Sequence, residues 1–494
     1  MVKGHFSEQR GQSQDSLSYA ESRRNRSEAQ SSVVSGKGLL AALLIIVMLS
    51  VAVGCNFLHK NTTAKYDLEQ IMDSGVLRVI TLYGSTSYFQ YRGQEMGFHY
   101  ELASQFADYL GVQLEVVVAY NIAELTSKLL QGEGDLIAFP LPYTNEWKNS
   151  VEYCGEEAIT HQVLVQRNRW RPQPLKDVTE LIGKEVYVKP GRFLQRMNNL
   201  NQEVGGGIII HSVESDSLSL EDLITQVAQG KIDYTVANND LAKLNQTYYP
   251  NLEVSLAVSH DQRASWAVRK ECTQLAEAVN KWHDENMTSP RYTASMKRYY
   301  ELSKSRIFFP IMSVKEGKIS PYDNLFRQYA KEIGWDWRLL ASLAYNESNF
   351  DTTAVSWAGA KGLMQLMPRT AKAMGVPEGK EQNPEESIKG AVKYIGLTSS
   401  AFRSIPEQER IKFVLAAYNS GTGHITDAMA LAEKYGANKY VWDDNVEKYI
   451  LLKSNEEYFS DPVCKHGYFR GIETYNFVRD IIQRFNRYKE VIKE

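Results

Sequence analysis

The stretch "GFHYELASQFADYLGVQLEVVVAY", Gly97–Tyr120, decides how the first half of this chain is read. It runs as a helix up to Gly111, where the glycine ends it, and then as a strand rich in valine. Before it, "GVLRVITLY" is a β-branched run ending at Tyr83. After it, "NIAELTSKLLQGEGDLIAF" repeats the order: helix, glycine-rich turn, short strand. Strands alternating with helices predict α/β units on a largely parallel sheet. The order returns from "VTELIGKEVYVKPG" through "LSLEDLITQVAQGKIDYTVANNDLAKL". Two α/β lobes follow, with the chain crossing near Arg167–Pro174 and returning near Leu256–Val268.

The chain has 494 residues, too many for one hydrophobic core, so two or three domains are expected. Its 56 basic and 59 acidic side chains leave a net charge of −3, which argues against a nucleic-acid partner. The four cysteines, Cys55, Cys154, Cys272 and Cys464, form no metal-binding pattern. A Cys154–Cys272 bridge is open to a chain exported to an oxidising compartment. His424 and His466 are far apart in sequence and read as surface or packing histidines. No metal or cofactor is called for.

Residues 1–36 are polar, without apolar period, and read as a disordered tail. Residues 37–58 read as a membrane segment. Gly38–Leu58 is long enough to cross about 30 Å of hydrocarbon. It is either an uncleaved helix or a lipoprotein signal cut before Cys55. In "SVAVGC", Gly54 suits such a cut, while Val53 and Ala52 are not the usual residues. Either mode puts the chain from Tyr66 onward outside the cytoplasm: at the inner membrane if the helix stays, at the outer membrane if Cys55 is lipidated.

After "FFPIMSVKEGKISPYD" the pattern becomes helical. In "DWRLLASLAYNESNF" the residues Leu339, Leu340, Leu343 and Ala344 give an apolar face. Glu347 lies four residues beyond Leu343 and continues that face. A carboxylate there needs a partner or has a raised pKa, the environment of a glycosidase acid; a glutamate in a last turn can also simply reach solvent. Asp351 is the near competitor and reads as the start of a loop.

Two resemblances sharpen this reading. The pieces "LRVIT", "GFHYELASQFADYLGV", "LLQGEGDLIAF", "LIGKEVYVKPG" and "VAQGKIDYTVANND", in that order, resemble the periplasmic solute-binding family 3. That likeness implies residues 65–305 form a two-lobed module closing on a ligand. Family members that bind amino acids hold the two charged ends of the ligand with an arginine and an aspartate. Here Trp147 and Asn238 stand at those positions, so a free amino acid is a poor ligand. A muropeptide is one alternative; a spacer that binds nothing is another.

"NESNFD", "SWAGAKGLMQLMPRTAKAMG", "AAYNSGTGHI" and "GIETYNFVRDI" together resemble the catalytic domain of soluble-type lytic transglycosylases, which cleave peptidoglycan. That likeness implies a mainly helical, lysozyme-like domain over 306–494. It makes Glu347 the acid/base, and Ser356, Met364, Gln365, Tyr418 and Asn419 groove residues. In the last motif Phe477 replaces the usual tyrosine, so a hydroxyl is lost while ring contact with the cleft remains open. Glu473 reads as a salt-bridge or capping partner. The implied partners are glycan strands, muropeptides and a membrane. The resemblance favours a transglycosylase; a glycan sensor that does not cut and a lysozyme-type hydrolase remain open.

Overall fold

A computed structural model describes residues 66–169, 172–213, 218–304 and 318–492. The polar tail, the apolar segment 37–58 and Cys55 lie outside the described residues. Among the described residues no helix is long and apolar enough to cross a membrane.

The described residues open with a helix, Leu68–Ser74, and then build two five-stranded sheets. The first contains β1 (Val76–Leu82), β4 (Gln113–Ala119), β5 (Leu136–Pro142), β6 (Val151–Thr160) and β12 (Gln262–Arg269), in the order β4-β1-β5-β12-β6. β1 pairs in parallel with β4 and β5, while β12 runs antiparallel to β5 and β6. The helix Phe98–Leu110 of the deciding stretch ends at Gly111, whose φ of 72° is a left-handed cap that suits glycine. The next helix, Ile122–Gln131, starts on the Asn121 side chain, which accepts from the Glu124 N–H.

The second sheet holds β7 (Gln162–Arg167), β8 (Glu185–Val188), β9 (Ile209–Ser212), β10 (Tyr234–Asn238) and β11 (Leu252–Glu253), ordered β11-β7-β10-β8-β9. The first crossing between lobes therefore falls at His161, between β6 and β7, and not at Arg167–Pro174. Strand-forming residues run through the crossing without a glycine or proline, which hides it from a search for turns. The return lies between β11 and β12, as the sequence predicts. Cys154 and Cys272 are both buried free thiols, so no bridge joins them.

One short hairpin stands apart from both sheets. β2 (Phe89–Tyr91) and β3 (Gln94–Met96) pair with Tyr91 opposite Gln94, leaving Arg92 and Gly93 as a two-residue loop. Their φ values, 51° and 72°, are those of a type I′ turn. Glycine adopts that conformation freely; arginine does so at a cost of about 1–2 kcal/mol.

The helical part packs around one central helix, Trp337–Ser348. The sequence predicts a single apolar face. Instead, every residue from Trp337 to Tyr345 is buried. Neighbouring helices Asp323–Ala330 and Gly471–Val491 pack against it. Ser342 survives in that core by bonding the Arg338 carbonyl at 2.7 Å.

Candidate active site

Glu347 occupies the last turn of the central helix, which stops at Asn349 in a left-handed cap. Its side chain is 3% exposed. It lies on a cavity of about 470 Å³ that is also lined by Tyr345, Ser356, Trp357, Gln365, Glu473 and Arg484.

The partner that the sequence asks for comes from the other half of the chain. Arg92, at the tip of the hairpin, reaches Glu347 with one nitrogen 3.0 Å from each carboxylate oxygen. Its second terminal nitrogen donates to the Gln365 carbonyl at 2.9 Å. Burial works against the Arg92 charge, but the Glu347 carboxylate, together with Tyr91 and Tyr418, offsets this and holds the guanidinium above its usual range. Sequence reading misses Arg92. The available signal is the "RG" between the short runs "FQY" and "QEM", weaker than an Asn-Gly or Asp-Gly turn between alternating apolar residues.

The hairpin is seated by several close contacts. The Tyr91 ring lies 5.3 Å from Trp357. His424 Nε2 is 3.1 Å from the Gln90 carbonyl. A methyl group on Gly421 would come within 3.3 Å of the Gly93 nitrogen. On Gly467 it would stand 2.0 Å from the Tyr83 ring. His424 and His466 are not apart in space: their rings are 6.0 Å apart. His466 Nδ1 contacts Asp427 at 3.1 Å, and Lys453 joins both Asp427 and His424 Nδ1. Burial, and then the Lys453 charge, push His424 well below the ordinary histidine value.

A second polar junction joins both lobes to the helical part. The buried Glu221 carboxylate accepts from Ser85 of the first lobe, from Tyr468 OH at 2.6 Å and from Arg470 at 2.8 Å. Arg470 also bonds Asn245 at 2.9 Å and pairs with Glu473 at 3.3 Å. Glu473 thus has the structural partner expected of it, although it also lines the cavity.

The remaining expected groove residues divide. Gln365, at φ 48°, lines the cavity and donates its amide to the Ala354 and Gly362 carbonyls at 3.0 and 2.8 Å. Ser356 lines it too, accepting from the Ala360 N–H at 2.9 Å within a turn rather than capping a helix. Met364 does not face the groove: it is fully buried in the helical core, and its carbonyl accepts from Tyr418 OH at 2.7 Å. Tyr418 therefore spends its proton on that carbonyl rather than on Glu347. Burial, and then the Glu347 charge, raise its pKa well above the phenol value. Asn419 is buried and accepts from Thr474 at 2.6 Å. Phe477 is a core residue at 1% exposure rather than a cleft wall. Asp351 starts a loop, accepting from the Thr353 N–H at 2.8 Å. Trp147 packs on the core of the first lobe, and Asn238 begins the helix Asn239–Tyr248; neither lines the cavity. Among the described residues no group of three or more His, Cys, Asp or Glu side chains is placed to hold a metal ion.

Comparison with known proteins fits both halves. A family model described as bacterial extracellular solute-binding proteins, family 3, matches residues 77–302. One described as transglycosylase SLT domain matches 324–441. The chain is 34% identical over 448 residues to a protein of Aeromonas salmonicida (strain A449) named membrane-bound lytic murein transglycosylase F, covering 89% of this chain and 86% of that one. A Pseudomonas putida (strain W619) protein of the same name is 34% identical over 433 residues, covering 86% of each. Among solved structures, an ancestral cationic amino acid solute-binding protein aligns at 22% identity and a TM-score of 0.42, covering 47% of this chain and 99% of that one.

Proposed function

This chain belongs to the membrane-bound lytic murein transglycosylase F family, and from that membership we propose how it cleaves peptidoglycan and how the cleavage is held in check. The substrate is the β-1,4 bond between MurNAc and GlcNAc, and Glu347 is the acid and then the base. Protonated Glu347 gives its proton to the GlcNAc O4 leaving oxygen. The N-acetyl oxygen of MurNAc stabilises the positive charge growing at C1. Ionised Glu347 then takes the proton of the MurNAc C6 hydroxyl, whose oxygen attacks C1. The product is 1,6-anhydro-MurNAc, and no water is consumed. One carboxylate serves both steps, unlike the paired carboxylates of ordinary glycosidases. Gln365 and Ser356 orient the sugar from the same cavity.

The observation that carries the reading is the buried Glu347 carboxylate on the wall of a 470 Å³ groove, at the end of a rigid core helix. The pairing with Arg92 supports a resting state. The guanidinium occupies both carboxylate oxygens and fills the space of the reacting sugar. The two-lobed module is the regulator: binding of a peptidoglycan fragment such as a muropeptide withdraws the hairpin and frees Glu347. The protein is attached to a membrane through residues 37–58, by the helix itself or by lipid on Cys55, with the cleaving part in the periplasm.

The test is mass spectrometry of peptidoglycan digested by the protein and by Glu347→Gln. Anhydro-MurNAc ends made by the unmutated protein alone are expected. Reducing MurNAc ends would reassign it as a hydrolase.

A further inference from the structure

The helix Gly471–Val491 sends both Glu473 and Arg484 to the wall of the cavity that holds Glu347. Eleven residues of helix separate them by ~16 Å along its axis, so the helix runs along the groove and meets different sugar units at its two positions. Arg484 is 8% exposed. Its guanidinium lies 3.8 Å from the centre of the Tyr345 ring and acts on the Tyr488 phenol, whose pKa it lowers against the rise caused by burial. Its Nε makes no hydrogen bond, and among the described residues no carboxylate pairs with it.

Among the described residues, the other two cations on this cavity have their terminal nitrogens occupied, although Arg92 Nε, like that of Arg484, makes no hydrogen bond. Arg92 is spent on Glu347 and Gln365. Lys304 Nζ donates to Thr247, Arg298 and Tyr299. A buried guanidinium with no anion is unfavourable until an anion arrives. Held against the Tyr345 ring, it reaches the cavity with its terminal N–H groups, which can donate to a carboxylate.

Resting on the glycan-cleaving function above, we propose that Arg484 determines specificity by receiving a carboxylate carried on the O3 substituent of a MurNAc unit. The sugar rings are neutral, so this substituent is where the strand is anionic. The carboxylate is that of the lactyl group itself in a stripped strand, or one of the peptide stem in an intact strand. Arg484 is a binding residue remote from the bond that breaks, so it acts on affinity rather than on the chemical step.

The experiment uses the full chain, Arg484→Gln and Arg484→Lys, on three probes: strands with stems, strands stripped of peptide, and a chitooligosaccharide with no carboxylate. KM for cleavage is read on the first two, and Kd by calorimetry on all three. For Arg484→Gln we expect KM and Kd to rise about tenfold on a carboxylate-bearing probe, the range of one charge-assisted contact. kcat and chitooligosaccharide binding should stay as they were. Arg484→Lys, which keeps the charge and loses the fork, should recover part of the loss. A loss confined to stemmed strands names the peptide carboxylate, and one confined to stripped strands names the lactyl carboxylate. Equal loss on all three probes, or no loss on any, overturns the proposal; thermal melting of both variants separates misfolding from lost recognition. The calorimetry needs no cleavage, so it still reads Arg484 if the unmutated protein makes no anhydro ends.

Discussion

Arg92 meets both oxygens of Glu347 at 3.0 Å across 255 positions of sequence, and the two side chains are only 7% and 3% exposed. The contact costs strain at a left-handed arginine and is made where solvent cannot screen it. A hairpin tip built for its turn alone would carry glycine or asparagine there.

Arg92→Gly should therefore raise basal cleavage. The turn keeps its geometry, because glycine favours positive φ. Losing the ion pair shifts the closed form toward the open one; a shift of about 1.4 kcal/mol would give about tenfold more anhydro product in the absence of any activating fragment. Unchanged basal activity with an unchanged melting temperature would remove the restraint role.

Glu347→Gln should abolish cleavage, by about two to four orders of magnitude for loss of a general acid. It should also loosen the hairpin. Removing one partner of a buried pair costs about 3–5 kcal/mol, because the other charge is left unpaired. Hydrogen exchange of residues 89–96 should rise in Glu347→Gln and return toward normal in the double variant with Arg92→Gly.

Tyr418→Phe should cost stability more than activity. Its hydroxyl serves the Met364 carbonyl, and leaving that buried acceptor alone is worth about 1–3 kcal/mol. A fall in melting temperature with cleavage reduced less than tenfold is the expected pair of results. A loss as deep as that of Glu347→Gln would mean the phenol turns to the sugar during reaction.

The hairpin seat should weaken in acid. His424 is held neutral, chiefly by burial and then by Lys453, so its folded pKa lies below the ordinary 6.5. A lowered histidine pKa means the unfolded or undocked form binds the extra proton first. The stabilisation is whole above about 6.5 and is lost as pH falls toward the folded value. Facing the ring are Lys453, Asp427, His466 and the Gln90 carbonyl, so an added proton sits beside an existing cation. Exchange of residues 89–96 should speed up below pH 6.5, and His424→Gln should flatten that dependence.

The α/β lobes were legible because several of their helices are closed by a glycine or opened by a capping side chain, as at Gly111 and Asn121, signals that act within a few residues. The crossing at His161 was not, because both neighbouring segments are strands and no turn chemistry marks the change of sheet. Glu347 stood out because a carboxylate interrupts an apolar helix. Arg92 did not, because what makes it notable is a contact 255 positions away and a φ that only coordinates reveal. Met364, Tyr418 and Phe477 lie in motifs of the groove yet turn inward, since a motif fixes chain position and not which side of a short segment meets solvent.

Gly421, Gly423 and Gly467 each bring bare backbone against a partner: the first against the hairpin tip, the second against the His466 ring, the third against Tyr83 of the first lobe. The join at Gly467 and Tyr83 fits by the absence of a side chain on one face and the presence of a ring on the other. Neither half can then drift alone. A graft that replaced the helical half by one from a distant relative would keep both folds and lose the seat, leaving an enzyme that cuts without waiting. Inheritance of the two halves as a matched set is thus written into Gly421 and Gly467, where the helical half meets the first lobe through bare backbone.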